Sequence, residues 1–475
     1  MIEVISKRAG SFLPALAALL WAAVLLAGSG ENTTGARQPR VLPPRGVLGA
    51  RVTFNKQVVR LLQDNCQKCH HEGDIAPFPL VSYKDAYEHR IQIVTQTSGR
   101  IMPPWHVDSA CAAYEDDPTL TDEQIRTFSK WVEAGAPEGD PADLPDTLTF
   151  SSNWKLGEPD RVLTMAEPMT PDFSKGDIYR CFVLPTGLTE DRFVSSVEIA
   201  PGSRAMVHHI LLFVDTTTAA EQLDAKDPGP GYTCFGGPGF TAVYNLGGWV
   251  PGNAPRPLPD GIGMPLPANS RIVMQVHYSA RSGVVEPDRT TLALHFSKTP
   301  VKKRLLSTPV INTKFTIPPG ASAYEVKAAI PFIPFAAHLL QITPHMHLLG
   351  KSMQVTATTL SGQQICLVDV PDWDFHWQGT YTYKTPVPIP LLTRVDLSAF
   401  YDNSADNPDN PNSPPRAVSW GENTTDEMCI AFLGFTLDDE NLTGAAGQAA
   451  TTLSTFPPFW EEGWRELARA LKPTP

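Results

Sequence analysis

The chain has 475 residues, with 38 Lys+Arg against 50 Asp+Glu, a formal net charge of −12 and 42% hydrophobic residues. At roughly 100–200 residues per domain, that length suffices for several domains with real cores. Only 19% of residues are charged, below the usual ~25%, which excludes a coiled coil. An acidic chain without a Lys/Arg run repels phosphates, so nucleic acid is not an expected partner.

Residues 1–29 read as a signal peptide. Lys7 and Arg8 precede an apolar run from Phe12 to Ala27, and small residues follow at Gly28 and Ser29. The run is short for a ~30 Å hydrocarbon core, so export is expected ahead of the alternative, an uncleaved N-terminal membrane tether. Residues 30–50 are polar with Gly and Pro and read as a linker.

Residues 51–140 form the first expected domain. Cys66-Gln67-Lys68-Cys69-His70 is the C-x-x-C-H pattern of c-type haem attachment. Two thiols one helical turn apart can add to the two vinyl groups, which places His70 beneath the iron. A thioredoxin-like pair or half a zinc site is the competing reading, but no βαβ pattern and no second C-x-x-C accompanies it. Phe54 to Leu62 reads as a helix. Thr121-Asp122-Glu123-Gln124 is a capping box that opens a second helix, with Ile125, Phe128 and Trp131 on one face and Gly135 as its stop. Between them, Met102 on the proline-stiffened Ile101-Met102-Pro103-Pro104-Trp105 segment is the expected sixth iron ligand, with His71, His89 and His106 as rivals. Methionine ligation raises the reduction potential and suits electron transfer. The region resembles a small cytochrome c domain.

After a linker over 141–154 the pattern changes to short β-rich runs: Phe193 to Ile199, Val207 to Asp215, Ile272 to Ser279, Thr291 to Phe296 and Leu339 to Thr343. Runs of this kind between Gly and Pro predict β-sandwich domains, here over 155–300 and 301–475. Near the C-terminus, Trp460, Trp464, Leu467 and Leu471 recur at helical spacing.

Histidines cluster on these strands: Met206-Val207-His208-His209-Ile210, then Met274-Gln275-Val276-His277-Tyr278, then His345-Met346-His347-Leu348, and finally Glu427-Met428-Cys429. His-x-His on a strand puts both imidazoles on one face. Adjacent His208 and His209 reach one metal only if the strand is locally irregular or the two rings bind through different nitrogens. Imidazoles suit zinc or copper, and a thioether such as Met428 favours copper. No H-E-x-x-H and no carboxylate base lies within the three histidine motifs, as hydrolytic zinc would want.

The ordered motifs Val207-His208-His209-Ile210, Gln275-Val276-His277-Tyr278, His345-Met346-His347-Leu348 and Asp426-Glu427-Met428-Cys429 resemble the type II copper, ascorbate-dependent monooxygenases, the family of peptidylglycine α-hydroxylating and dopamine β-monooxygenases. The resemblance implies a mainly β fold with two jelly-roll-like copper domains. It implies an electron-transfer copper at His208, His209 and His277, and an oxygen-activating copper at His345, His347 and Met428. The implied reaction inserts one atom of O2 into a C–H bond.

Two features depart from that family. Its carboxylate-anchoring Arg, Asn and Tyr are replaced by Thr343, Ile430 and Phe432, so a small neutral or apolar substrate is expected. The haem domain is the second departure, and implies electrons delivered through haem, replacing or supplementing ascorbate, with a redox partner protein as a further source. The competing functions are a zinc or copper hydrolase carrying a cytochrome, and a non-catalytic electron-transfer or copper-binding protein. A bacterial periplasm or cell envelope is the expected location. Without the two haem cysteines, Cys111, Cys181, Cys234, Cys366 and Cys429 remain. That odd number leaves at least one unpaired within the chain; a disulfide at Cys429 would stiffen the Met428 site.

Overall fold

The computed structural model describes residues 51–443, apart from 73, 75, 151–153, 236, 243, 251–253 and 280–282. The signal segment, the first linker and the C-terminal helical pattern lie outside the described residues. Among the described residues no helix is long and apolar enough to cross a membrane.

The chain is mainly β, with a small helical region at 54–133. There a π-helical turn (Phe54–Val58) runs into the helix Val59–Asn65, past the Leu62 boundary set by periodicity. Tyr83–Glu88 and Arg90–Ser98 follow. The helix Asp122–Glu133 starts at the expected capping box, Thr121 with Gln124, and ends at Gly135, whose φ of 85° only glycine adopts freely. Phe54, Leu62, Phe128 and Trp131 form its core. Residues 137–146 lie along the first helix: Pro137 O accepts from Phe54 N, and Asp140 O from Asn55 Nδ2.

The first β-region has two five-stranded sheets. One runs in the order Tyr232–Thr233, Ile178–Pro185, Arg271–Tyr278, Val207–Asp215, Tyr244–Trp249. The other runs Arg161–Thr164, Thr291–Phe296, Arg192–Ala200, Ile262–Leu266, Lys303–Arg304. The Arg271–Tyr278 strand is buried on both faces. Ile272, Met274, Val276 and Tyr278 enter the core shared by both sheets, while Val273 enters a second cluster with Cys181, Phe213 and Cys234. Period-two alternation therefore puts His277 on the Val273 face, away from the main core.

The second β-region has two antiparallel four-stranded sheets. One runs Leu306–Ile311, Ile430–Leu437, Ala337–His345, Tyr381–Ile389, and the other Tyr324–Ile333, Thr393–Tyr401, Gly350–Thr358, Gln364–Val370. In Thr393–Tyr401 every second residue is buried, the mark of one sheet face against a core.

An unforeseen arm joins the helices to this second region. Val107 and Tyr114, from the loop between two helices, belong to its core. Tyr114 Oη–H donates to Leu367 O, Glu115 N to Thr382 O, and Lys384 N to Ala113 O. The Cys111–Cys366 disulfide closes the arm across 255 residues, and a second disulfide joins Cys181 to Cys234. Cys429 is the cysteine left over, buried and reduced, so the disulfide considered for it does not form.

Candidate metal centres

His208, His209 and His277 converge, with one ring nitrogen from each within 4.8 Å of the others. The strand irregularity is present. Along the ladder Val207 pairs with Tyr278 and His209 with His277, so His208 is the extra residue of a β-bulge. A bulge re-aims one side chain without moving its neighbours, which lets adjacent histidines face one point.

The converging atoms are the Nδ1 nitrogens. His209 Nδ1 lies 3.3 Å from His208 Nδ1 and 3.4 Å from His277 Nδ1. His277 Nε2–H donates to Asp177 Oδ2 at 3.0 Å, which leaves the His277 Nδ1 lone pair facing the others. His209 Nδ1 can make only one in-line hydrogen bond, as donor or as acceptor, so at least one of these close contacts crowds two nitrogens with no hydrogen bond between them. A metal cation at the convergence removes that conflict, and the donor set fits one. Burial lowers the His208 pKa to about 3 and that of His209 well below the usual value, so both rings stay neutral.

Asp177 was not singled out in the sequence. It also accepts from Thr424 Oγ1 at 2.7 Å, and Tyr179 stacks on the His277 ring at 4.2 Å. Carboxylates behind metal-binding imidazoles typically contribute 10–100-fold in affinity. Asp177→Ala is therefore expected to weaken metal binding at the three histidines by about 10–100-fold in a chelator competition titration, with the His345/His347 pair unaffected.

His345 and His347 form a second group, with ring centroids 5.1 Å apart. They do not both lie on a strand: His345 ends Ala337–His345, and His347 falls in the turn beyond it. His345 Nδ1–H donates to Gln378 Oε1 at 2.6 Å, and His347 Nδ1–H to Asp426 O at 3.1 Å. Both rings thereby keep their Nε2 lone pairs for a ligand. Burial lowers His345 to about 4 and His347 well below the usual value.

Met428 sits half-buried before the strand Ile430–Leu437. One oxygen of Glu427 accepts from both His347 N (2.8 Å) and Met428 N (3.1 Å), so a single carboxylate joins the two backbones. Its other oxygen accepts from Leu349 N at 2.6 Å. Burial pushes Glu427 up to about 8, opposed by these amide donors. An amide side chain would turn an N–H toward a backbone donor. Glu427→Gln is expected to cost about 1–3 kcal/mol, read as a lower urea midpoint.

Phe375 lies between the two groups. Its ring stacks on His208 at 4.9 Å and meets His347 edge-on at 5.8 Å. Beside it is a cavity of about 190 Å³, lined by residues including Arg204, Met206, His208, Val250, Phe375 and Gln378. Thr343, Ile430 and Phe432 are ladder neighbours of this end of the strand: Thr343 pairs with Phe432, and His345 with Ile430.

In the helical region Cys66 and Cys69 are reduced, whereas four other cysteines are paired. Backbone bonds from Cys69 N and His70 N to Cys66 O form the single turn that haem attachment needs. His70 Nδ1–H donates to Phe78 O at 3.0 Å, which frees Nε2 for an iron, and burial lowers the His70 pKa. These donors fit a covalently held haem. Burial raises the Cys69 pKa, as does the carboxylate of Asp74, while Lys68 and Lys155 oppose it.

Met102 stands on an exposed bend, 39% accessible, with its amide bonded to Gln96 O. Two of its rivals are held elsewhere: His71 by Gln67 O and Asp74, and His106 by Asp372 O. His89 stacks on Phe78 at 3.8 Å.

No family's sequence profile matches the chain, and no curated protein matches it. Among solved structures the chain is similar to infectious bursal virus derived T=1 particles, at 10% identity and a TM-score of 0.16, over 65% of this chain and 84% of that one. It is also similar to a β-porphyranase of glycoside hydrolase family 86 from the human gut bacterium Bacteroides plebeius, at 10% identity and a TM-score of 0.15, over 68% of this chain and 44% of that one. Similarity this weak carries no argument about fold or function.

Proposed function

We propose that the protein is an exported haem–copper monooxygenase that hydroxylates a C–H bond of a small, neutral or apolar molecule. In this reading the two β-regions are jelly-roll-like copper domains and the helical region is a cytochrome c-like domain. The observation that carries it is the pair of separate imidazole groups, one phenyl ring apart, with the free ring nitrogens of His277, His345 and His347 already set by second hydrogen bonds. His208, His209 and His277 would hold one copper. His345, His347 and Met428 would hold the other, the thioether favouring Cu(I). When bound, two coppers supply one electron each to reduce O2, one oxygen atom entering the substrate and the other leaving as water. His70 and Met102 would ligate the haem carried by Cys66 and Cys69, with ascorbate or a redox partner protein as the outside reductant.

The chain's own residues account for substrate choice. A dry cavity of about 150 Å³ holds a benzene-sized molecule, so the roughly 190 Å³ beside Phe375 suits a substrate of that scale. Met206, Val250 and Phe375 supply apolar wall. The cation that lines it, Arg204, is ion-paired with Asp74. At the positions where the resembled family anchors a substrate carboxylate, Thr343, Ile430 and Phe432 offer no countercharge, so burying a carboxylate there would be costly. Two disulfides are in keeping with an oxidising compartment outside the cytoplasm.

The test is metal and haem stoichiometry on the purified protein, followed by O2 uptake with ascorbate across small apolar and aromatic compounds. Two coppers, one haem and a hydroxylated product are expected. Full zinc occupancy without O2 uptake would favour a hydrolase instead, and redox-active copper without any oxygenated product an electron carrier.

A further inference from the structure

The segment that carries the haem-attachment motif meets the first β-region at the carboxylate of a half-buried residue. Asp74 lies four residues after His70, and its side chain is only 8% exposed. It accepts from Arg204 Nη1 at 3.2 Å and Lys155 Nζ at 3.4 Å, and lies 3.4 Å from His71 Nε2. Both cations come from the first β-region, and both are fixed from behind.

The backbone amides of Lys155 and Leu156 donate to Glu198 at 2.6 and 3.1 Å, and the same carboxylate takes His295 Nε2 at 2.7 Å. Arg204 sits in the turn that leads into the Val207–Asp215 strand. That turn is pinned where Ser203 N donates to Asp288 Oδ1 at 2.9 Å and Val207 N to Ser203 O at 3.2 Å. Arg204 and His208 then line the same cavity. One short path of ion pair and tight turn therefore joins the Cys69–His70 turn to the three-histidine group.

A second path leads elsewhere. His106, four residues beyond Met102, donates from Nδ1 to Asp372 O, on the loop that carries Phe375 in the second β-region. That path belongs to the arm held by the Cys111–Cys366 disulfide and Tyr114, and it leads to the second β-region, whereas the Asp74 path leads to the turn before His208.

We propose that Asp74, Arg204 and Lys155 form the joint that positions the haem for electron transfer into the His208/His209/His277 centre. This rests on the haem–copper reading above. The step is a single-electron exchange: ferrous haem becomes ferric as Cu(II) becomes Cu(I), with no bond made and no proton moved. A one-electron donor such as ascorbate re-reduces the haem iron. The three residues are positioning residues, since none needs to touch either metal.

The test is anaerobic stopped flow on the full-length holoprotein, with haem reduced by ascorbate, following loss of the ferrous haem spectrum and the copper EPR signal. Displacing a positioned pair by about 1 Å costs up to about 10²-fold, so Arg204→Ala and Asp74→Asn are each expected to slow transfer by about ten-fold or more. Arg204→Lys and the charge-swapped double variant Asp74→Arg/Arg204→Asp should recover much of the rate. Haem spectrum, copper content and the rate of haem reduction by ascorbate should stay at wild-type values, which a merely unfolded variant would not allow.

An unchanged transfer rate in Arg204→Ala and Asp74→Asn would overturn the joint. So would a rate that falls only in His106→Ala, or loss of copper from the three histidines in Arg204→Ala. A wild-type protein that oxygenates normally while these variants transfer at full rate would sink this inference and leave the proposed function standing. A wild-type protein that binds no haem or no copper would sink both.

Discussion

Met428→Ala is expected to lower O2-dependent product formation by more than about 100-fold, because residues merely supporting a ligand already contribute 10–100-fold. The haem absorption spectrum and the copper assigned by this proposal to His208, His209 and His277 should be unchanged. Met428 is tied by its own amide to the Glu427 oxygen that also holds the His347 amide, so thioether and imidazole start from adjacent, fixed backbones. Tyr401 Oη–H donates to Met428 O at 2.7 Å and fixes the same peptide from the other side. In the proposed second copper site, removing the thioether deletes the one soft donor and leaves two imidazoles whose lone pairs stay preset by Gln378 and Asp426. Residual copper binding with lost turnover is thus the expected signature. Full activity in the variant would remove Met428 from the ligand set and, with it, the main reason to choose copper over zinc.

Much of this arrangement is written locally in the chain. The capping box at Thr121, the stop at Gly135 and the bounds of Val207–Asp215 follow from neighbours a few residues apart, and the structure agrees with each. For the neighbouring His208 and His209 a locally irregular strand was one of two ways to share a metal, and the bulge is the one the structure has. What escaped depends on contacts across hundreds of residues. Asp177 behind His277, Gln378 behind His345 and Phe375 between the two groups carry no local pattern, since each is an ordinary loop or strand-edge residue until the fold closes. The 105–117 arm escaped for the same reason. Its Tyr114 and Cys111 read as part of a helical region, while their partners Leu367 and Cys366 lie some 250 residues away. Period-two reasoning also misplaced His347: a turn after the strand end, held by Glu427, brings it to His345.

Phe375→Ala should have the largest effect on stability and should also change which molecules are accepted. Phe375 is 6% exposed, and its ring covers His208 on one side and meets His347 on the other. Truncating a buried phenylalanine costs about 3–5 kcal/mol, the spread reflecting how far the site collapses. Collapse is restrained here. The loop that carries Phe375 is fixed by Trp373 Nε1–H donating to His347 O at 3.2 Å and by Gln378 Nε2–H donating to Phe375 O at 2.9 Å. The lost ring volume should therefore join the cavity of about 190 Å³ beside it, and a value near 3 kcal/mol is expected because that edge of the ring already borders open space. In a denaturant titration the variant should unfold at a lower midpoint with copper still bound. In a substrate panel the preference should move toward molecules larger by about one ring, with the smallest substrates losing turnover because nothing holds them between the two imidazole groups. If Phe375→Ala instead kept the wild-type size preference, the cavity beside His208 would not be where the substrate sits, and the space next to Thr343 and Phe432 would have to take that role.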